Sequence, residues 1–176
     1  SPLALRFPLI DPDAFLSRWV FLIRPLLGWA GGLAWLLLVV TALAYAGAHW
    51  SELTEGGVER ILAPHSLFVL WLSYPIVKAL HELGHGFVTK AWGGEVHEMG
   101  IMLLVLFPVP YVDASAASVF ADRYKRMLVG AAGMMVELAL AASALFVWLA
   151  VEPGMLRDLA FSVMLHVGTL LALLVY

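Results

Sequence analysis

His81-Glu82-Leu83-Gly84-His85 lies inside an apolar run that extends from Leu67-Phe68-Val69-Leu70-Trp71-Leu72 to Trp92, and these two facts together decide how the chain is read. On a helix, residues four apart share a face, so His81 and His85 can turn two imidazoles toward one metal ion while Glu82 stands beside them as a general base. A run this long and apolar is a candidate membrane-crossing helix. Ionisable side chains are costly in hydrocarbon and persist there mainly where they pair or work, so the three polar residues are expected to form a site. Lys78, one turn before His81, is expected to snorkel or to pair with Glu82.

Composition points the same way. Hydrophobic residues make up 62% of the 176 and charged residues only 13%, with a mean hydropathy of +0.92. A soluble domain carries about 25% charged residues, so the lipid bilayer is the expected surrounding. The net charge of -3 leaves no basic footprint for nucleic acid. There are no cysteines, which excludes disulfides and thiolate ligands, and any metal must be held by histidine and carboxylate.

Outward from the motif, the expected fold class is an all-α polytopic membrane protein: a bundle of about four transmembrane helices with a short extended or re-entrant segment near the site. Residues 1–25 read as a juxtamembrane, interfacial segment. Within it Asp11-Pro12-Asp13 should start a helix, and Phe15, Leu16, Trp19, Val20 and Ile23 recur at helical spacing. Spans are expected at 26–48, 61–92, 127–151 and 159–176, all in one core covering 1–176. Pro75 interrupts the second span, and Gly93-Gly94 should end it. Met99 to Val112 holds Gly100, Pro108 and Pro110 and is too short to span, so it should be extended and buried against the bundle or lining a wet cavity. Gly130, Ala131, Ala132 and Gly133 give the third span a small-residue face for close helix packing.

Basic residues set the expected orientation. Arg6, Arg18 and Arg24 precede the first span, the 51–60 loop carries Glu52, Glu55 and Glu59, and Arg123, Lys125 and Arg126 follow the second. The pattern agrees with a cytoplasmic N-terminus and puts the motif toward the cytoplasmic end of its helix.

Catalytic zinc usually takes three protein ligands and one exchangeable water. His81 and His85 supply two. The extended soluble-protease pattern asks for a histidine six residues past His85, where this chain has Ala91. Candidates for the third ligand are Asp113, His97, Glu137 and His166. Asp113 is equally a turn carboxylate, His97 a surface histidine, Glu137 a mid-span partner for Lys78 or a histidine, and His166 a hydrogen-bonded interior histidine.

Several stretches together carry a resemblance: His81-Glu82-Leu83-Gly84-His85-Gly86, then Lys90-Ala91-Trp92-Gly93-Gly94-Glu95-Val96-His97-Glu98-Met99-Gly100-Ile101-Met102, Pro108-Val109-Pro110-Tyr111-Val112-Asp113-Ala114-Ser115 and Val129-Gly130-Ala131-Ala132-Gly133-Met134. Over residues 3–164 the chain resembles the site-2 protease class of intramembrane zinc metalloproteases, and more closely its bacterial peptide zinc metalloprotease branch. The resemblance implies zinc held by His81 and His85, Glu82 as catalytic base, and a third ligand from an Asp-Gly motif on a later helix. It implies cleavage of membrane-embedded or membrane-associated peptides, a place in the bacterial inner membrane, and company with peptide-export or membrane-fusion systems. In that class strands beside the site hold unwound substrate, which would fall on residues 95–112 here.

One departure stands out. No Asp-Gly pair occurs after His85, and where the class would lead into it this chain reads His166-Val167-Gly168-Thr169-Leu170 and stops at Tyr176. The expectation is a piece of a longer protein whose third ligand lies beyond Tyr176. Two other readings compete: a prenyl-protein-type membrane peptidase that recruits a downstream glutamate such as Glu137, and a non-catalytic scaffold or export-system subunit.

Overall fold

The computed structural model describes residues 4–104 and 107–175; the sequence readings at residues 1–3, at Val105-Leu106 and at Tyr176 fall outside the described residues. The chain is mostly helical, with strands β1 (Ala4–Ile10), β2 (Met99–Leu104) and β3 (Phe107–Val112) and helices α1 (Asp13–Ile23), α2 (Trp29–Ala48), α3 (Trp50–Thr54), α4 (Gly57–Leu62), α5 (Pro64–Ala91), α6 (Arg123–Ala150) and α7 (Met155–Val175). Two compact units emerge. The first joins Ser1–Gly32 to Lys78–Val136 and the second joins Leu33–Val77 to Glu137–Tyr176, so α5 and α6 thread through both.

The first unit is built on a sheet of order β1-β2-β3, antiparallel throughout. This corrects the all-helical expectation. Residues 99–104 and 107–112 are extended as read, but the N-terminal segment contains a strand, Ala4–Ile10, before its helix. β1 pairs Leu5 with Leu103 and Phe7 with Ile101, with an irregularity between Pro8 and Ile10.

Between β2 and β3 the register places Ile101 opposite Pro110 and Leu103 opposite Pro108. Asp113 N–H donates to Glu98 O at 2.9 Å just past the pair Met99–Val112. Hydrogen-bonded and non-bonded pairs alternate in an antiparallel ladder, so Val112, Pro110 and Pro108 all turn their backbone polar groups away from β2. Proline is tolerated in a strand where its missing N–H would face outward at an edge, and both prolines occupy such positions.

Around this sheet α1 starts where Asp11 Oδ1 accepts the N–H of Asp13 at 2.9 Å, and it buries Leu16 completely. The end of α5 is fixed by backbone geometry. Gly93 sits at φ +86, in the left-handed region, while Gly93 N–H reaches Lys90 O and Gly94 N–H reaches Thr89 O, both at 3.0 Å. These paired bonds satisfy carbonyls that a helix end leaves open, and they require a residue without Cβ strain at the turn. Beyond them Val88, Ala117, Val129 and Ala132 form a buried cluster.

In the second unit the core is Ala42, Ala142, Leu145, Trp148 and Ala160. Small residues let the backbones approach, and Trp148 fills the space that remains. Helix α2 buries only Ala42, although it is apolar on all sides; Leu33, Leu36, Leu37, Val40 and Leu43 are exposed. By length and composition α2 and α6 are long and apolar enough to cross a membrane.

Helix bounds differ from the sequence reading at the ends. The span expected from 26 begins at Trp29 after a short 3-10 turn, Arg24–Leu27. The span expected from 61 begins at Pro64, because α4 breaks at Ala63 before α5 starts. Pro75 lies inside α5, which continues through it.

Candidate metal centre

His81, Glu82 and His85 all lie on α5 in the first unit and are half-buried. The Nε2 atoms of His81 and His85 are 3.1 Å apart. Two nitrogens bound at about 2.0–2.1 Å to one tetrahedral ion stand roughly 3.3 Å from each other, so the pair converges as a shared ion would require.

The outer nitrogen of His85 explains the ring's attitude. Nδ1 lies 2.6 Å from Val129 O on α6. A carbonyl can only accept, so Nδ1 carries the proton and Nε2 presents its lone pair inward. This backbone-carbonyl contact is the support that metal-ligating histidines ordinarily have. His81 is held from the other side by shape: a Cβ built on Gly133 would fall on its ring atoms. The small-residue face of α6 therefore serves the histidine pair directly.

Glu82 reaches the sheet. Its Oε2 accepts the N–H of Val112 at 3.1 Å. That N–H is the outward group at the end of β3, so the carboxylate sits where the edge strand ends. With Val112 engaged and prolines at 108 and 110, the outer edge of β3 offers carbonyl acceptors and no free N–H at these three positions.

Of the expected third ligands, Asp113 and His97 have partners in the first unit, and His166 and Glu137 belong to the second. Asp113 Oδ1 accepts Ser115 N–H at 2.9 Å, opening a short 3-10 turn, Ser115–Val119. Hydrogen bonding by Ser115 holds the Asp113 carboxyl below its ordinary pKa. His97 is exposed between two carboxylates, Nδ1 at 3.1 Å from Asp11 and Nε2 at 3.2 Å from Glu95. Its pKa is raised by the hydrogen bond to Asp11 and then by that to Glu95. His166 belongs to the second unit, where its Nε2 lies 2.9 Å from Ser73 Oγ and 3.1 Å from Leu70 O. Glu137 is 1% exposed, also in the second unit. Among the described residues no three histidine, aspartate or glutamate side chains come together as a metal-holding group.

Two supports of the site left little trace in the sequence. Asp13 accepts from Lys90 Nζ at 2.7 Å and from Val96 N–H at 3.0 Å, tying the start of α1 to the end of α5. Lys90 first and Val96 second hold the Asp13 carboxyl below its ordinary pKa. Tyr111 of β3 donates to Glu98, the residue just before β2, with Arg6 of β1 5.4 Å over its ring. The acidic start at Asp11-Pro12-Asp13 was visible; its partners were not.

Comparison with protein families, curated proteins and solved structures finds no match to this chain.

Proposed function

We propose that this chain is the core of an intramembrane zinc metallopeptidase of the site-2 protease type, hydrolysing peptide bonds in membrane-embedded or membrane-associated substrates. The observation that carries the reading is the convergence of His81 and His85 Nε2 at 3.1 Å, with His85 Nδ1 anchored on Val129 O and Glu82 adjacent. In this proposal α2, α5, α6 and α7 are four spans in a bacterial inner membrane with the N-terminus in the cytoplasm. The apolar, exposed surface of α2 supports a lipid surrounding, since a helix apolar on every side has no water-facing stripe.

His81 and His85 would hold the zinc through Nε2. When bound, zinc supplies Lewis acidity, polarising a carbonyl oxygen and easing the ionisation of water near neutral pH. Glu82 takes the proton from the attacking water and hands it to the leaving amine. Val112 N–H keeps the Glu82 carboxylate turned toward the edge of β3. An extended substrate laid along that edge would be held by its own N–H groups on the carbonyls of Pro108 and Pro110, which replaces part of what an unwound helix loses. The third ligand is proposed to come from an Asp-Gly motif beyond Tyr176.

The test is Glu82→Gln in purified protein extended past Tyr176, with a membrane-embedded peptide as substrate. Cleavage should disappear while zinc content is kept, and proteolysis surviving the substitution would overturn the assignment. A non-catalytic scaffold is the second reading, favoured by the two-ligand cluster. Metal analysis of this chain beside a version extended past Tyr176 separates the two: only the extended one should hold zinc tightly if the peptidase reading is right.

A further inference from the structure

The second unit contains two adjoining cavities that the proposed chemistry leaves unused. One, about 460 Å³, is lined almost wholly by apolar side chains, including Ala46, Leu53, Ala141, Leu145, Phe161 and Met164. The other, about 370 Å³, has charged walls: Glu52, Glu55, Arg60, Arg157 and Asp158, with Trp148 beside them. Arg60 and Glu55 line both, so the two chambers meet at these residues. Each volume is in the range of small-molecule sites, about 300–1,000 Å³.

The charges in the polar chamber are not spent on one another. Asp158 pairs with His65 at 3.0 Å. Among the described residues Glu52, Glu55, Arg60 and Arg157 form no ion pair, although cations and carboxylates line the same chamber. The two guanidinium groups lie over aromatic rings instead, Arg60 4.3 Å from Phe161 and Arg157 4.2 Å from Trp148. Stacking holds a guanidinium in place and leaves its in-plane N–H donors open. Trp148 is 2% exposed, and its Nε1–H has no acceptor among the described residues. A buried donor without a partner is rare.

We propose that the two chambers together hold one phospholipid with a primary-amine headgroup. An acyl chain occupies the apolar cavity, the phosphate sits between Arg60 and Arg157, and the ammonium faces Glu52 and Glu55. Charge complementarity selects a zwitterionic phospholipid, and carboxylate acceptors favour an ammonium that has N–H donors over a quaternary amine that has none. A fatty acid or an anionic lipid would bring no cation to Glu52 and Glu55, which line the chamber on its exposed side, and an uncharged apolar ligand would bring no anion to the two guanidinium groups. The inference stands apart from the peptidase reading, because no residue of the histidine pair takes part.

The full chain, purified in detergent, is offered phosphatidylethanolamine, phosphatidylcholine and phosphatidylglycerol in turn, and retained lipid is measured by native mass spectrometry. Phosphatidylethanolamine should be retained about tenfold better than either competitor, the ratio expected when one charge-assisted contact is lost. Its retention should fall by a similar factor in Arg60→Gln/Arg157→Gln. Glu55→Gln should erode the preference over phosphatidylglycerol, and it serves as the deciding variant if the double substitution does not fold. Equal retention of the three lipids, unchanged binding in the folded double variant, or an unchanged preference in Glu55→Gln would each overturn the proposal.

Discussion

The ring of His81 occupies the space that a side chain on Gly133 would need. Helix α6 can lie this close to α5 only because residue 133 stops at its Cα. Gly133→Ala should therefore push the imidazole off its line with His85, and zinc affinity should fall about 10–100-fold, the scale of losses when the support of a metal ligand is removed. Gly130→Ala is the matched control, since nothing lies within 4 Å of its built Cβ. Isothermal titration with zinc on both variants of the extended chain checks the contrast.

Val129 O decides the tautomer of His85. Replacing His85 by Asn keeps a polar group but gives up the inward imidazole nitrogen, and zinc binding should be lost while the fold is kept. Circular dichroism with metal analysis reads both effects. A variant that kept its zinc would show that the metal is held elsewhere.

Asp13→Ala removes the acceptor of both Lys90 and Val96. An ammonium and a backbone N–H would be left in a place where the pair's side chains are only 17% and 21% exposed. A buried group stripped of its partner costs about 1–3 kcal/mol, so the loss should be of that order. Denaturant unfolding measures it. The same bond gives a pH dependence: Asp13 is held below its ordinary pKa, so its contribution is present above the unfolded-state pKa and is lost as pH falls through the lowered folded value.

His97 carries the opposite sign. Its pKa is raised by Asp11 and Glu95, so its contribution is complete below the unfolded-state value near 6.5 and fades as pH rises through the raised folded value. Asp11 is lowered, chiefly by its hydrogen bond from Asp13 N–H and then by His97. The Asp11–His97 contact is thus fully charged between the two, in mildly acidic solution. The protection of residues 95–98 from hydrogen exchange, taken relative to the intrinsic rate at each pH, should rise on going from mildly alkaline to mildly acidic pH, and His97→Gln should flatten that response.

The strand register makes a cleaner test of the sheet. Pro110 faces outward on β3, so Pro110→Ala should change stability by less than about 0.5 kcal/mol, as at a surface position. Val109 pairs inward with Met102. Val109→Pro should cost roughly 1–3 kcal/mol by leaving a ladder carbonyl without its donor. Thermal unfolding of the two variants separates them, and a reversed order would mean the register is shifted by one residue.

The parts legible in the sequence were those with local causes. The helix carrying His81 to His85, its glycine stop at Gly93-Gly94, the start at Asp11-Pro12-Asp13 and the extended nature of residues 99–104 and 107–112 all follow from periodicity or from the backbone limits of glycine and proline. What was not legible depends on distant partners. Ala4–Ile10 has no clean alternation, and it becomes a strand because β2 offers an edge. The role of Gly133 was visible only as a small residue, not as the seat of a ring. A third ligand could be neither found nor excluded by spacing, because metal sites gather residues that are far apart in sequence.

The position of β1 sets an order of events. Its partner is β2, so Leu5 must find Leu103 and Phe7 must find Ile101 across a chain that includes α2 and α5. As the polypeptide leaves the ribosome, β1 waits for β2 while both of those helices are made. Contacts of such high sequence separation close late and slowly. The pairing of β1 with β2 is therefore among the last parts to assemble, while the local hairpin of β2 and β3, which brings Val112 N–H to Glu82, can form before β1 docks.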